Sequence, residues 1–153
     1  MDQVLRYSIP VIHPIAVHFP FVLVLLGLGF GLVWLFRDRI QWLATASYIQ
    51  ILGLAGAIVA YRSGAIMKEQ SEGVPIVEEL VHLHEDAALM ATWAIGLSVV
   101  ALLGARYLHR MNTSHPGTMI WARVAVVFIQ LVAAALVVWT AHIGGTMVWG
   151  VIS

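Results

Sequence analysis

Four stretches of this chain carry no Asp, Glu, Lys or Arg: Pro14–Phe36, Trp42–Tyr61, Ala87–Ala105 and Val124–Ala141. Crossing about 30 Å of hydrocarbon takes about 20 residues at about 1.5 Å rise each, and every stretch meets that length. The pattern therefore predicts an all-α fold, a four-helix transmembrane bundle with antiparallel, up-and-down connectivity. Residues 1–153 form one membrane domain in this reading, with no room for a soluble one. The polar punctuation sets the connections. Arg37–Gln41 is short and makes the first two helices antiparallel neighbours. Arg62–Glu85 is the longest connection, and its part from Pro75 onward begins the third helix ahead of the membrane, since proline loses nothing at a first helical position. Arg106–Arg123 is the third. Pro20 cannot donate to the Ala16 carbonyl and disfavours helix at the residues before it, so the first helix is expected to kink, or truly to start, near Phe19. Gly144–Gly145 is expected to cap the fourth helix, with the tail Thr146–Ser153 folding back over the mouth of the bundle.

Small residues mark helix contacts. Gly27 and Gly31 make a GxxxG pair, and Gly56, Ala60 and Gly64 form a ladder on the second helix. Helices in lipid gain little from burying apolar surface against each other, so small faces that permit close approach are where they meet. No internal repeat is read from the sequence. Trp42, Trp121 and Trp149 fall near the predicted interfaces, as an aromatic belt requires.

Composition agrees and excludes several functions. Hydrophobic residues make up 61% of the chain and charged ones 10%, against roughly a quarter charged in a soluble domain. Eight cations balance eight carboxylates, which gives nucleic acid no footing as a partner. The absence of cysteine rules out disulfides, thiolate metal sites, cysteine-held iron–sulfur clusters and covalent haem attachment. The chain opens on Asp2 rather than a basic cluster, so the first helix reads as an uncleaved anchor. Arg37, Arg39, Arg106, Arg110 and Arg123 fall on one side, and Arg6, Arg62 and Lys68 on the other. The positive-inside rule makes the first side cytoplasmic. Both termini would then face the periplasm from a bacterial inner membrane.

The candidate chemistry lies in the histidines. His109 and His115 belong to the third connection; His13, His18, His82, His84 and His142 map to the opposite side. At 100° per residue His84 shares a face with Leu80, Val81, Ala87, Ala88, Ala91 and Ile95, whereas His82 turns toward Glu79 and Asp86 and is a solvated residue. The alanines Ala88 and Ala91 leave space for something bulky beside His84. His18 is expected either to converge with His84 and His142 at one membrane level, with His13 nearby, or to bond a carbonyl freed by proline. Convergent histidines in a bundle core hold haem or metal. Without thiolate or methionine at that level, the predicted cofactor is a bis-histidine haem b suited to electron transfer, its ligands drawn from His13, His18, His84 and His142, with the axial pair expected from the deeper His18, His84 and His142. Arg62, with Arg6 and Lys68, could pair with the propionates. The same four histidines could instead hold copper or zinc. A third reading is a membrane anchor of a respiratory complex with its histidines merely hydrogen-bonded. No nucleophile–base arrangement or phosphate loop points to a hydrolytic or transferase enzyme.

The run from Ile12 to Pro20, with His13-Pro14 and His18-Phe19-Pro20, resembles the HP-x3-HFP signature of small bacterial membrane proteins grouped as domain of unknown function 2231. His84 at the head of the third helix and His142 before Gly144–Gly145 are similar to that family's pattern, and the resemblance covers nearly the whole chain. It departs at Trp149, where tyrosine is commoner, and in a short tail. The resemblance implies a four-helix membrane domain in a redox setting, with a periplasmic cytochrome c or other redox subunit, besides membrane lipid, as the partner. It carries over His13, Pro14, His18, Pro20, His84, Gly144 and Gly145.

Overall fold

The computed structural model describes residues 12–71, 75–111 and 116–149. They form four helices: α1 (Ile12–Arg37), α2 (Ile40–Ser71), α3 (Pro75–Met111) and α4 (Pro116–Trp149). Each contains a segment long and apolar enough to cross a membrane: His13–Arg37, Ile40–Ile66, Leu80–Met111 and Ile120–Met147. The helices outrun the charge-free stretches because polar residues continue each helix past its apolar part.

Two expectations about helix ends are corrected. The first helix starts at Ile12, not near Phe19, and it passes through Pro20 without a break in helical assignment. Pro20 is buried against α2, where a Cβ on Gly56 would lie 3.2 Å from its Cδ. The ring thus packs into the notch that glycine leaves, which offsets the missing backbone hydrogen bond. The fourth helix runs through Gly144 and Gly145 to Trp149 rather than ending there, so no fold-back begins at Thr146. Gly144 is instead a contact, because a Cβ on it would stand 3.0 Å from the His84 ring. The tail beyond Trp149 lies outside the described residues.

The α1–α2 turn is tight. Asp38 takes the left-handed conformation (φ 49°) that closes a helix, and its amide donates to the Trp34 carbonyl at 2.9 Å. Aspartate tolerates that region better than most side chains. Its carboxylate pairs with Arg123 of α4 at 3.2 Å, and Arg123 also donates to the Leu35 carbonyl at 3.3 Å. Contacts between α1 and α2 then step in opposite directions along the two helices: Gly27 with Gln50, Val24 with Gly53, Pro20 with Gly56, His13 with Gly64. The small-residue faces predicted on both helices are the ones used.

Two apolar layers fill the core. One holds Val24, Ala57, Ala91, Ile95, Ala133, Ala134 and Val137; the other, nearer the Asp38 turn, holds Trp34, Leu43, Ala46, Leu102 and Val126. Between them lie the fully buried Gln50, Ser98 and Gln130. Gln50 donates to Ser98 at 2.7 Å, and Ser98 donates to the Ile95 carbonyl at 2.8 Å. Gln130 donates to the Gly27 carbonyl at 3.1 Å. Both amide oxygens lack a hydrogen-bond donor and rest against the bare backbone of Gly27 and Gly31.

This arrangement exposes an internal repeat absent from the sequence reading. His13, Ala16, Pro20, Val24, Gly27 and Gly31 of α1 each match a residue 71 positions later: His84, Ala87, Ala91, Ile95, Ser98 and Leu102. Apart from the half-buried histidines, every member of both sets is buried. In the second helices the offset is 80 positions, aligning Tyr48-Ile49-Gln50 with Phe128-Ile129-Gln130 and Gly64 and Met67 with Gly144 and Met147. The contacts obey the same relation. Gln50 reaches residue 98 and Gln130 reaches residue 27, which are equivalent positions. Each hairpin is thus one copy of a two-helix unit, paired about a pseudo-twofold along the bundle, as in parallel membrane repeats. The two offsets differ by nine residues, which the second hairpin adds in a longer connection and in longer helix ends beside it, so no single period runs along the chain.

Gly31→Ala is expected to destabilise the bundle by about 1–3 kcal/mol, since the new methyl overlaps the Gln130 amide and overpacks a filled core. Gly29→Ala, with nothing within 4 Å of its new methyl, serves as the control. Thermal unfolding of the detergent-solubilised variants measures the difference.

Candidate functional site

His13 and His84 begin the two copies of the repeat, and the fold brings them together at the end of the bundle away from the Asp38 turn. Their ring centres are 6.5 Å apart and their planes cross at 88°. Each ring rests on a glycine of the second helix in its own hairpin. A Cβ on Gly64 would stand 3.0 Å from the Cε1 of His13, and one on Gly144 would stand 3.0 Å from the Cε1 of His84. These glycines are the seats of the two rings, and an added side chain at either would push the ring off its place.

Hydrogen bonding fixes one ring. Ser63 donates its hydroxyl proton to the Ala60 carbonyl at 2.9 Å. Its oxygen, 2.9 Å from His13 Nδ1, is therefore left to accept, and His13 Nδ1 carries the proton. The lone pair of His13 is then on Nε2, the nitrogen not engaged by α2. Ligating histidines are oriented in this way, one ring nitrogen donating to a fixed acceptor and the other facing the metal. His84 differs. Its Nδ1 is buried and has no hydrogen-bond partner, although the Thr140 backbone lies beside the ring. Ile143 stands where the repeat would place a counterpart of Ser63.

The surroundings of the pair are small. Ala60 of α2 is buried, and on the face of α3 that the helical wheel assigned to His84, Ala87 and Ala91 are buried and Ala88 is partly so. Two imidazoles in line across one metal ion, each nitrogen about 2.0 Å from the ion, hold their ring centres roughly 6 Å apart, close to the separation here.

The other histidines lie elsewhere. His18 is on the outer surface of the bundle, its Nδ1 bonded to the Pro14 carbonyl one turn back. The carbonyl it uses is that of Pro14, and not that of Ala16, which Pro20 leaves unpaired. His142 is also on the outer surface, at one end of an apolar groove of about 570 Å³ between α1 and α4 lined by Leu25, Leu28, Leu131, Val138 and Trp139. The expected convergence of His18, His84 and His142 is not found; the histidine that meets His84 is His13. Among the described residues no group of three or more His, Asp or Glu is placed to hold a metal ion. Arg62 is exposed on α2, beside Ser63 in sequence. Lys68 pairs with Glu85 at 2.6 Å and lies 3.4 Å from His82, which is exposed as expected. His109 is partly buried near the end of α3; Arg6 and His115 lie outside the described residues.

Sequence reasoning missed Ser63 and the seating role of Gly64. The signal that finds both is the repeat, since aligning His13 with His84 and Gly64 with Gly144 points to the same seat twice.

A family model described as "Predicted membrane protein (DUF2231)" matches residues 9–151 of the chain. No curated protein and no solved structure matches it.

Burial orders the reactivity of these histidines. Diethyl pyrocarbonate applied to the detergent-solubilised protein is expected to modify His82, exposed beside Lys68 at the charged start of α3, well before His13 and His84, as read by peptide mass spectrometry. Equal modification of all three would contradict the packing of the two rings on Gly64 and Gly144.

Proposed function

The chain belongs to the family of predicted membrane proteins designated DUF2231, and we propose that it is a membrane haem-b protein whose iron is held between His13 and His84. The observation that carries this reading is the pairing itself: two imidazoles on the bundle's pseudo-twofold, 6.5 Å apart, one with its tautomer set for ligation. The donor set favours haem over a bare ion. Zinc takes four protein ligands, or three with a water, and the described residues offer two histidines here. A haem brings four nitrogens of its own and asks the protein for two. The small side chains of Ala60, Ala87, Ala88 and Ala91 favour a flat, bulky group at this place.

With both histidines bound, such a haem would supply one-electron transfer. The chain's own contribution is to orient His13 through Ser63, to seat both rings on glycine, and to surround the iron with low-dielectric packing. Arg62 stands on the same end as a candidate partner for a propionate. The distribution of arginines supports a bacterial inner membrane with this end toward the periplasm. There a soluble cytochrome c or another redox subunit can reach it. Copper is the second candidate, because imidazole suits it and two in-line donors can hold it.

A visible spectrum of the purified protein, oxidised and then dithionite-reduced, tests the proposal. A low-spin b-type spectrum is expected. His13→Ala and His84→Ala should each abolish it; His18→Ala and His142→Ala should leave it intact. Ala88→Leu, enlarging a partly buried side chain one turn from His84, should abolish haem uptake and spare a small metal ion. A colourless protein from haem-replete cells defeats the haem reading, and elemental analysis then decides for or against copper.

A further inference from the structure

The two halves of the repeat treat their histidines differently. Position 63 is serine in the first half, and its equivalent 80 residues on, position 143, is isoleucine, buried at 5% exposure. The remaining seat is conserved between halves: glycine at 64 and 144 under the ring, and the backbone of residue 60 or 140 beside it. Only the hydroxyl is lost, and among the described residues its loss coincides with a buried imidazole nitrogen that has no partner, Nδ1 of His84.

We propose that Ser63 is a positioning residue that locks His13 in the Nδ1–H tautomer, and that Ile143 leaves His84 unlocked, making His84 the exchangeable member of the pair. The physical basis is direct. A hydroxyl whose own proton is committed to the Ala60 carbonyl can only accept from His13, so the ring has one favoured tautomer and one orientation. His84 has no such hydroxyl: its Nδ1 is without a partner within hydrogen-bond distance, and the Thr140 backbone that interacts with the ring is the counterpart of Ala60, not of Ser63. An imidazole held by an outer hydrogen bond is also a more basic and better-held ligand than one without it. The tautomer assignment rests on the polar contacts alone; its consequence for ligand exchange rests on the haem reading above.

The two parts are tested separately. Nitrogen-15 NMR of histidine-labelled, cofactor-free protein in detergent reads the tautomers with no haem present. The His13 signals should report the Nδ1–H form, retained in Ser63→Thr and lost to a tautomer mixture in Ser63→Ala. His84 should give a mixture in the wild type and shift to the Nδ1–H form in Ile143→Ser. Unchanged His13 signals in Ser63→Ala, in protein of unaltered helical content, overturn the proposal. In ferrous haem-loaded protein, carbon monoxide serves as the exchange probe. It should displace His84, and Ile143→Ser should weaken its binding on the order of tenfold. Carbon monoxide binding that is indifferent to residue 143 but sensitive to residue 63 would make His13 the exchangeable ligand and refute the assignment. Failure to take up haem would defeat the proposed function, while the NMR result would still decide the tautomers.

Discussion

Lipid is as apolar as leucine, so burying leucine between helices gains little there. What remains to hold a membrane bundle together is close backbone approach and hydrogen bonds that have no water to compete with them. This chain places both on its axis. Gln50 and Gln130 reach across from one hairpin to the other and bond at Ser98 and at the Gly27 carbonyl. They can do so because Gly27 and Gly31 leave the surface of α1 bare where the two amides lie. The bonds tie halves that apolar packing alone would hold weakly. Double-mutant cycles on comparable membrane hydrogen bonds average about 0.6 kcal/mol each, so the gain is modest in energy. Their larger effect is on register, because a buried amide can find its partner at only one offset of the helices.

The duplication explains why the site lies where it does. A residue near the pseudo-twofold in one half meets its own counterpart from the other half. Gln50 and Gln130 share the polar layer at mid-bundle in this way, and His13 and His84 meet at the end. A histidine lying close to the axis of a duplicated unit is thereby made into a pair without any further design. The halves differ where symmetry is not required. Ser63 and Ile143 differ beneath the rings, and Pro20 and Ala91 differ within the core, the proline fitting because Gly56 faces it.

Much of the fold was legible from the chain. Charge-free stretches of sufficient length named all four helices, and the glycines at 27, 31, 56 and 64 named the faces that meet. Helix ends were less legible for a physical reason. Pro20 and Gly144 are helix breakers in water, and the sequence does not show that one fills a notch left by Gly56 while the other seats His84. The site was half legible. The wheel placed His84 inward on a face of alanines, which is where it lies. It could not rank His13 above His18 and His142. Depth along the helices favoured His18 and His142, whereas rotation about the helix axis decides which ring points inward. The repeat would have made that choice, but the two helices of each unit are offset by different amounts, which hides it from any fixed-period comparison.

The shape of the bundle also bears on what a redox centre here could do. Below the histidine pair the axis is filled in turn by Val24 and Ile95, by the glutamine layer, and by Trp34 with Leu102. His84 has its counterpart in His13, but the residue matching His109 in the first half is Asp38, already engaged with Arg123 in the turn. Among the described residues the repeat therefore supplies one histidine pair, at one end. Electron transfer across a membrane by haem needs a centre toward each face. A single centre at one rim instead suits exchange with partners that approach from that side or from the lipid beside it. On the haem reading proposed above, the arrangement would be a relay at one membrane surface, with the remainder of the bundle holding two rings in register.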